Sequence, residues 1–462
     1  MLRTATLRSS LGAIALVAAT ASAAGGQPGR PLHVRLDSIA ASGVVENRAV
    51  GIVAAVVRGN DTLLYKGYGK ANVEWDVPMP RDALFEIGSV TKQFTAVALL
   101  QLRDEGKLSL DDEITKWLPD FDTRGNRVTL RRLLDHTSGI VGITEIPEFG
   151  NLATNERFPR DSAYALIRRT PFQFRTGEAQ IYNNSAFFLL GLVVEKASGM
   201  SYEDYVEKKI FEPLGMTRSM YCHSAENIPR RAQGYMVAAN RVVRRARTNV
   251  HTWPFSAGSL CSTAGDMVTW VRALHGGKVL SPASYAELIT PSKLNDGTPL
   301  RYSMGLQVGP DPSGHSYIGH GGAIAGFTAE VGWYPAAKMA VVVLQNTAGT
   351  LDPAAVASEL ASQILGWTRP MPQWFAGDAA PLLGRYVGQG RGRDMVIEVT
   401  QTPQGLAFAP DGAPARPVPW VEGLTFRQGS RIMTFRRANG DSGPVTELRV
   451  STSGSYMILK KQ

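Results

Sequence analysis

Metal-binding residues are scarce in this chain. Its 462 residues hold two cysteines, Cys222 and Cys261, and seven histidines. Two cysteines cannot build a zinc ribbon, and no histidine falls in a His-Glu-x-x-His spacing. Neither a metal nor another cofactor is therefore expected. The sequence also lacks a Gly-x-Ser-x-Gly elbow, which argues against a serine α/β-hydrolase. Its formal charge is +9, yet no nucleic-acid-binding motif accompanies it, so no nucleic-acid partner is expected. A membrane anchor is not expected in the mature form, because the apolar run Leu11 to Ala19 is too short to span a bilayer.

That short run has another reading. Arg3 and Arg8 precede it, and Ala21-Ser22-Ala23 follows with the small-x-small pattern of a signal-peptidase site. Residues 1–23 thus read as a cleaved leader, with a mature chain near Ala24 in a periplasm or outside the cell. No cysteine lies at the cleavage site, so a lipoprotein is not expected. Loss of Arg3 and Arg8 takes the formal charge to +7. Arg241, Arg244, Arg245 and Arg247 are the one basic cluster, and a solvated loop is its simplest account. An oxidising compartment permits Cys222 and Cys261 to pair, and the bridge is expected.

Hydrophobic patterning gives a coarse map. Residues 49–57 and 62–69 read as strands around the turn Gly59-Asn60-Asp61. A helix starts near Ser89, with Val90, Phe94, Val97, Ala98 and Leu102 at helical spacing and Gly106 as its stop. Further helices fit 161–169, 185–198, 202–210 and 264–275. Strands fit 327–333 and 339–344 around the turn at 335–338. Strands at both ends and helices between them predict an α+β fold, an antiparallel sheet flanked by helices with an all-helical region. Pro370, Pro372 and Pro381 punctuate a boundary at 367–382. Beyond it, strands at 395–400, 405–409, 424–427, 431–436, 445–451 and 455–460 predict a small all-β domain. The expected organisation is a catalytic domain over 31–367 and a β domain over 380–462.

Three short motifs carry chemistry. Ser89-Val90-Thr91-Lys92 puts a hydroxyl and an amine three residues apart, on one helix face. A serine needs a base beside it to act as a nucleophile, and a buried lysine loses its proton readily enough to serve. Read alone, the motif is as well explained by a capping serine and a surface lysine. Tyr182-Asn183-Asn184 offers a phenol to carry that proton and an amide for a substrate carbonyl, although a turn and N-cap would use the same residues. His320-Gly321-Gly322 precedes the strand pair, and its glycines let a substrate lie along a strand edge. The similar His275-Gly276-Gly277 follows a helix and reads as its C-terminal cap.

As an ordered set these motifs resemble the penicillin-recognising serine hydrolases, which include class C β-lactamases, D,D-carboxypeptidases, D-aminopeptidases and related esterases. Phe85-Glu86-Ile87-Gly88, Leu133-Leu134-Asp135-His136-Thr137-Ser138-Gly139, Phe211-Glu212-Pro213-Leu214-Gly215-Met216 and Ser262-Thr263-Ala264-Gly265-Asp266-Met267 extend the resemblance over about residues 35–366. It implies that Ser89 is acylated and that Lys92 and Tyr182 move protons. It further implies that Asn184 and Gly322 contact substrate and that the amides of Ser89 and Ala323 form an oxyanion hole. His136 would be architectural. His320 stands where many relatives carry lysine, with a charge expected to vary near the ordinary imidazole pKa of about 6.5. That replacement, and the lack of a recognisable deacylating glutamate, point to D-amino-acid peptides, related amides or esters before β-lactams. The partner expected is a small molecule or peptide, peptidoglycan-derived ones included.

Overall fold

The computed structural model describes residues 29–462 apart from 153–157, 312, 369–370 and 441. The leader at 1–23, Pro370 of the boundary and Asp441 lie outside the described residues.

An eight-stranded antiparallel sheet organises the larger part of the chain. Its order is Val77–Pro78, Asp61–Asn72, Gly51–Arg58, Met339–Gln345, Phe327–Tyr334, Ser316–Ile324, Leu306–Pro310 and Tyr302–Ser303. The apolar runs of Gly51–Arg58 and Met339–Gln345 arise because both faces of the central strands are covered. Ile52, Ala54, Val56, Val341 and Val343 face one core, with the helices Leu32–Val45 and Pro353–Leu365. Val53, Ala55, Val342 and Leu344 face the other, against the helical region. The first and last helices were not anticipated from the sequence, nor was the strand status of Ser316–Ile324, which contains the His-Gly-Gly motif itself.

The helical region centres on Thr91–Asp104, buried along almost its whole surface. A 3-10 turn, Gly88–Val90, leads into it, so Ser89 lies on the turn and Lys92 in the first helical turn. Asn184–Ser198, Tyr202–Val206 and Ala264–His275 match the expected helices closely. The expected helix at 202–210 continues as a π-helical turn, Glu207–Phe211. The arginine cluster sits beside a short exposed strand, Val243–Arg245, where a loop was expected. Among the described residues no helix is long and apolar enough to cross a membrane.

The C-terminal chain forms one nine-stranded antiparallel sheet, from Arg416–Pro417 at one edge to Trp420–Glu422 at the other. Only two residues, Val418 and Pro419, join those edge strands, so the sheet must curl back on itself. Leu406, Phe408, Phe426, Phe435 and Leu448 fill the interior. The strand Gly384–Gln389 was missed because its alternation is diluted by glycine and charge.

Cys222 and Cys261 are joined by a disulfide with Cα atoms 5.3 Å apart. Cys261 lies on Leu260–Ser262, the central strand of a small sheet between Phe85–Glu86 and Met220–Tyr221. The bridge thus braces the strand that delivers Ser89. A separation of 39 residues predicts stabilisation of about 4 kcal/mol in the chain-entropy model. Cys222→Ser should lower the urea-unfolding free energy by up to about that amount. Unreduced protein should show no alkylatable thiol; two reactive thiols would refute the bridge.

Candidate active site

The three motifs meet. Ser89, Tyr182, Asn184 and His320 to Ala323 line one cavity of about 760 Å³. Lys92 lies behind them, with 0% of its surface exposed.

Burial decides the state of Lys92. Desolvation pushes its amine well below the ordinary lysine range, and the positive charge of Arg391 acts in the same direction. Its Nζ lies 3.1 Å from Ser89 Oγ, 2.9 Å from Asn184 Oδ1 and 2.9 Å from the Ala257 carbonyl oxygen. All three accept from its N–H groups, and on loss of one proton the lone pair would face the Ser89 hydroxyl. The ring of Tyr182 is 4.8 Å away and that of Phe187 is 5.4 Å away.

The two adjacent asparagines divide their work. Asn183 caps the helix Asn184–Ser198, its side chain accepting from Ala186 N at 3.0 Å, and donates to the Ile140 carbonyl. That leaves the Asn184 amide to Lys92. Tyr182 Oη is buried and has no hydrogen-bond partner among the described residues. Burial holds its phenol well above the usual range, with the nearby Ser89 hydroxyl and Arg391 opposing.

His136 supports this segment. Its Nδ1 accepts the Asn183 N–H at 3.2 Å, its carbonyl accepts from Ile181 N, and its ring lies 4.5 Å from that of Tyr182. Burial and neighbouring cations hold the imidazole neutral. His275 is remote from these contacts: it stacks on Trp333 and pairs with the Tyr285 hydroxyl at 2.9 Å.

His320 differs from the expectation. Buried on the strand, with Lys92 nearby, its pKa falls to about 3 although its bond to Gly321 opposes the shift. The Gly321 carbonyl fixes the proton on Nδ1, so Nε2 accepts from Tyr302 Oη at 3.0 Å. Its charge therefore does not vary across the working range. Tyr302, itself fully buried, was not singled out because no motif marks it.

Gly322 and Gly88 let the strand approach the nucleophile turn. A Cβ at Gly322 would lie 2.0 Å from the Ile87 carbonyl oxygen, and one at Gly88 would lie 2.9 Å from Ala323 N. Gly88 also adopts φ +51°, a conformation glycine favours. The backbone of Ala323 is thus brought beside Ser89, the arrangement an oxyanion hole requires.

The C-terminal domain closes the cavity. Gly390, Arg391, Arg393, Arg431 and Thr452 to Ser455 contribute to its lining. Nothing in their sequence signalled this.

Comparison with known proteins agrees with the geometry. The beta-lactamase family model matches residues 36–365. The chain belongs to the beta-lactamase family. Over 306 residues it is 28% identical to penicillin-binding protein 4* of Bacillus subtilis, an alignment covering 62% of this chain and 66% of that protein. This member of the family thus spans just under two thirds of that relative. A D-stereospecific amidohydrolase from Streptomyces superposes with TM-score 0.63 at 27% identity, covering 73% of this chain and all of the other. An octameric penicillin-binding protein homologue from Pyrococcus abyssi, 24% identical with TM-score 0.64, covers 92% of this chain and 99% of its own. That likeness extends the shared fold into the C-terminal β domain.

A neutral His320 makes a pH prediction. Its ordinary pKa of about 6.5 is depressed by folding, so the stability it contributes is complete above that value. It is lost as pH falls toward about 3. Between pH 5 and pH 9, kcat/KM profiles of wild type and His320→Gln should have the same shape. A limb near pH 6.5 that the substitution removes would overturn this assignment.

Proposed function

We propose that this family member is an exported serine hydrolase that forms an acyl-enzyme on Ser89. It acts on D-amino-acid peptides, related amides or esters. The observation that carries the proposal is the fully buried Lys92 amine, 3.1 Å from Ser89 Oγ and with its pKa pushed down by that burial. The Streptomyces amidohydrolase supports the substrate class by its name.

The chemistry follows from the positions. Lys92 accepts the Ser89 proton as Oγ attacks the substrate carbonyl carbon. The negative charge that develops on the carbonyl oxygen is met by the amides of Ser89 and Ala323. Tyr182, neutral and inside the cavity, donates its proton to the leaving nitrogen or oxygen and recovers one from Lys92. The C–N or C–O bond breaks, and an ester of Ser89 remains. Water then attacks that ester, with Tyr182 and Lys92 taking its proton and returning one to Ser89.

A β-lactamase reading has less support. A lysine at position 320 would offer a permanent cation to a β-lactam carboxylate, whereas His320 is neutral and engaged with Tyr302 and Gly321. The apolar leader and the Cys222–Cys261 bridge fit an oxidising compartment outside the cytoplasm.

Ser89→Ala should abolish ester hydrolysis and fluorophosphonate labelling while keeping the fold. Normal labelling of that variant would remove Ser89 as nucleophile. Lys92→Ala and Tyr182→Phe should each slow acylation by about a hundredfold or more, with a combined effect less than multiplicative. Burst and steady-state kinetics with a p-nitrophenyl ester and with nitrocefin would read both the acylation rate and the substrate preference. Turnover of nitrocefin faster than any D-amino-acid amide or ester would reverse the proposed preference.

A further inference from the structure

Since Tyr182 Oη has no hydrogen-bond partner among the described residues beyond the nearby Ser89 hydroxyl, the placement of this residue depends on what grips its ring and backbone. Much of that grip comes from the C-terminal β domain. Ser455 Oγ accepts the Tyr182 N–H at 3.1 Å. Tyr456 and Gln180 exchange two backbone hydrogen bonds, at 2.7 Å and 3.2 Å. Ile181 is buried in the core of the β domain with Leu382 and Tyr386. Gly454 lies flush against the phenol ring: a Cβ there would come within 2.7 Å of Tyr182 Cδ2. Its φ is not left-handed, so close packing, not backbone conformation, calls for glycine at this position.

The turn that makes these contacts is internally braced. Thr452 N donates to the Ser455 carbonyl at 2.7 Å, and Ser455 N donates to Thr452 Oγ1 at 2.9 Å. Arg391 completes the grip, its guanidinium 5.5 Å from the ring centroid. Two bonds to Glu145, at 2.6 Å and 2.9 Å, hold Arg391 there from the helical side.

We propose that Gly454, Ser455 and Arg391 are positioning residues for Tyr182, which makes the C-terminal domain a working part of the acyl-transfer centre. The proposal rests on the reading of Ser89 as nucleophile and Tyr182 as proton carrier. A proton donor displaced by about 1 Å can lose on the order of a hundredfold in rate. A methyl group at Gly454 would force a displacement of this kind. Loss of the Ser455 hydroxyl would free the backbone of residue 182. Tyr182 and Lys92 are faced by His136, His320 and Tyr302, with Asp135 beyond them and the Arg391–Glu145 pair at the domain boundary. Removal of the Arg391 cation lets Lys92 hold its proton to higher pH.

The test uses the full-length chain. Gly454→Ala should lower kcat for a p-nitrophenyl ester by on the order of a hundredfold, with KM within about threefold. Ser455→Ala should lower it about tenfold, the equivalent of one hydrogen bond. Arg391→Gln should shift the acid limb of kcat/KM to higher pH. Phe426→Leu, which loosens the same β-domain core, serves as the control for stability alone; it should keep wild-type kcat at a matched loss of Tm. Wild-type kcat in both turn variants, with an unmoved limb in Arg391→Gln, would overturn the proposal. So would a loss in Phe426→Leu equal to that in Gly454→Ala. If Gly454→Ala does not fold, Ser455→Ala and Arg391→Gln decide. Retained ester hydrolysis in Ser89→Ala would instead overturn the underlying reading, whatever the turn variants do.

Discussion

The rest of the site depends on one constraint: a lysine amine enclosed by protein with no carboxylate to pair with. An isolated ammonium in such a place is costly, and the group relieves the cost by giving up its proton. Its hydrogen bonds go to a side-chain amide, a backbone carbonyl and the Ser89 hydroxyl. Neutral acceptors of this kind stabilise the amine without restoring its charge. The surroundings obey the same rule. Burial pushes the imidazoles of His136 and His320 toward their neutral forms in the same way. A buried Asp or Glu at hydrogen-bond distance from Nζ would favour the ammonium and disarm the base.

An uncharged base is useful only if the nucleophile stays in register with it. Ser89 follows a short strand whose Glu86 is 3% exposed and whose carboxylate is locked from several directions. Burial alone would raise the Glu86 pKa, but His251 and Arg231 outweigh it and hold the carboxyl below its ordinary range. Asn249 Nδ2 donates to Glu86 at 2.7 Å and to the Ala325 carbonyl at 2.8 Å. Ala325 lies two residues beyond Ala323. One amide group therefore ties the approach to Ser89 to the end of the strand that completes the oxyanion hole. The disulfide at Cys261, paired across from Glu86, braces the same place.

Local pattern was enough to single out Ser89, Lys92, Tyr182, Asn184 and His320, which the fold brings together, because each sits in a short motif whose spacing has a mechanical meaning. It was also enough for the central strands, whose unbroken apolar runs reflect burial on two faces. It failed where the signal is tertiary. Ser316–Ile324 carries three glycines and a histidine, which mask its strand character, yet one of those glycines, Gly322, is what lets it lie on Ile87. Tyr302 has meaning only because the sheet places it against His320. The titration of His320 was misjudged for the same reason: composition supplies an ordinary imidazole, and only the fold removes water from it. The contacts between residues 452–456 and 180–182 join segments about 270 residues apart, a relation no local pattern can encode.

The choice of histidine at position 320 follows from the first constraint. A lysine there would place a second amine near Lys92, and two buried ammonium groups cannot both be charged without a nearby anion. Relatives that carry lysine must therefore solve an electrostatic problem that this chain avoids. His320 instead closes its valences internally, donating to Gly321 and accepting from Tyr302. The imidazole contributes shape and a fixed hydrogen-bond chain, with no net charge to attract a substrate anion. Among the described residues, the β-domain cation that meets the Tyr182 ring is Arg391, and it is already tied to Glu145. Recognition in this cavity is shared between the strand edge at Gly321 to Ala323, the wall at 452–455 and the arginines Arg391, Arg393 and Arg431 that also line it. A backbone edge reads amides and esters through their carbonyl groups, in keeping with the proposed substrate class.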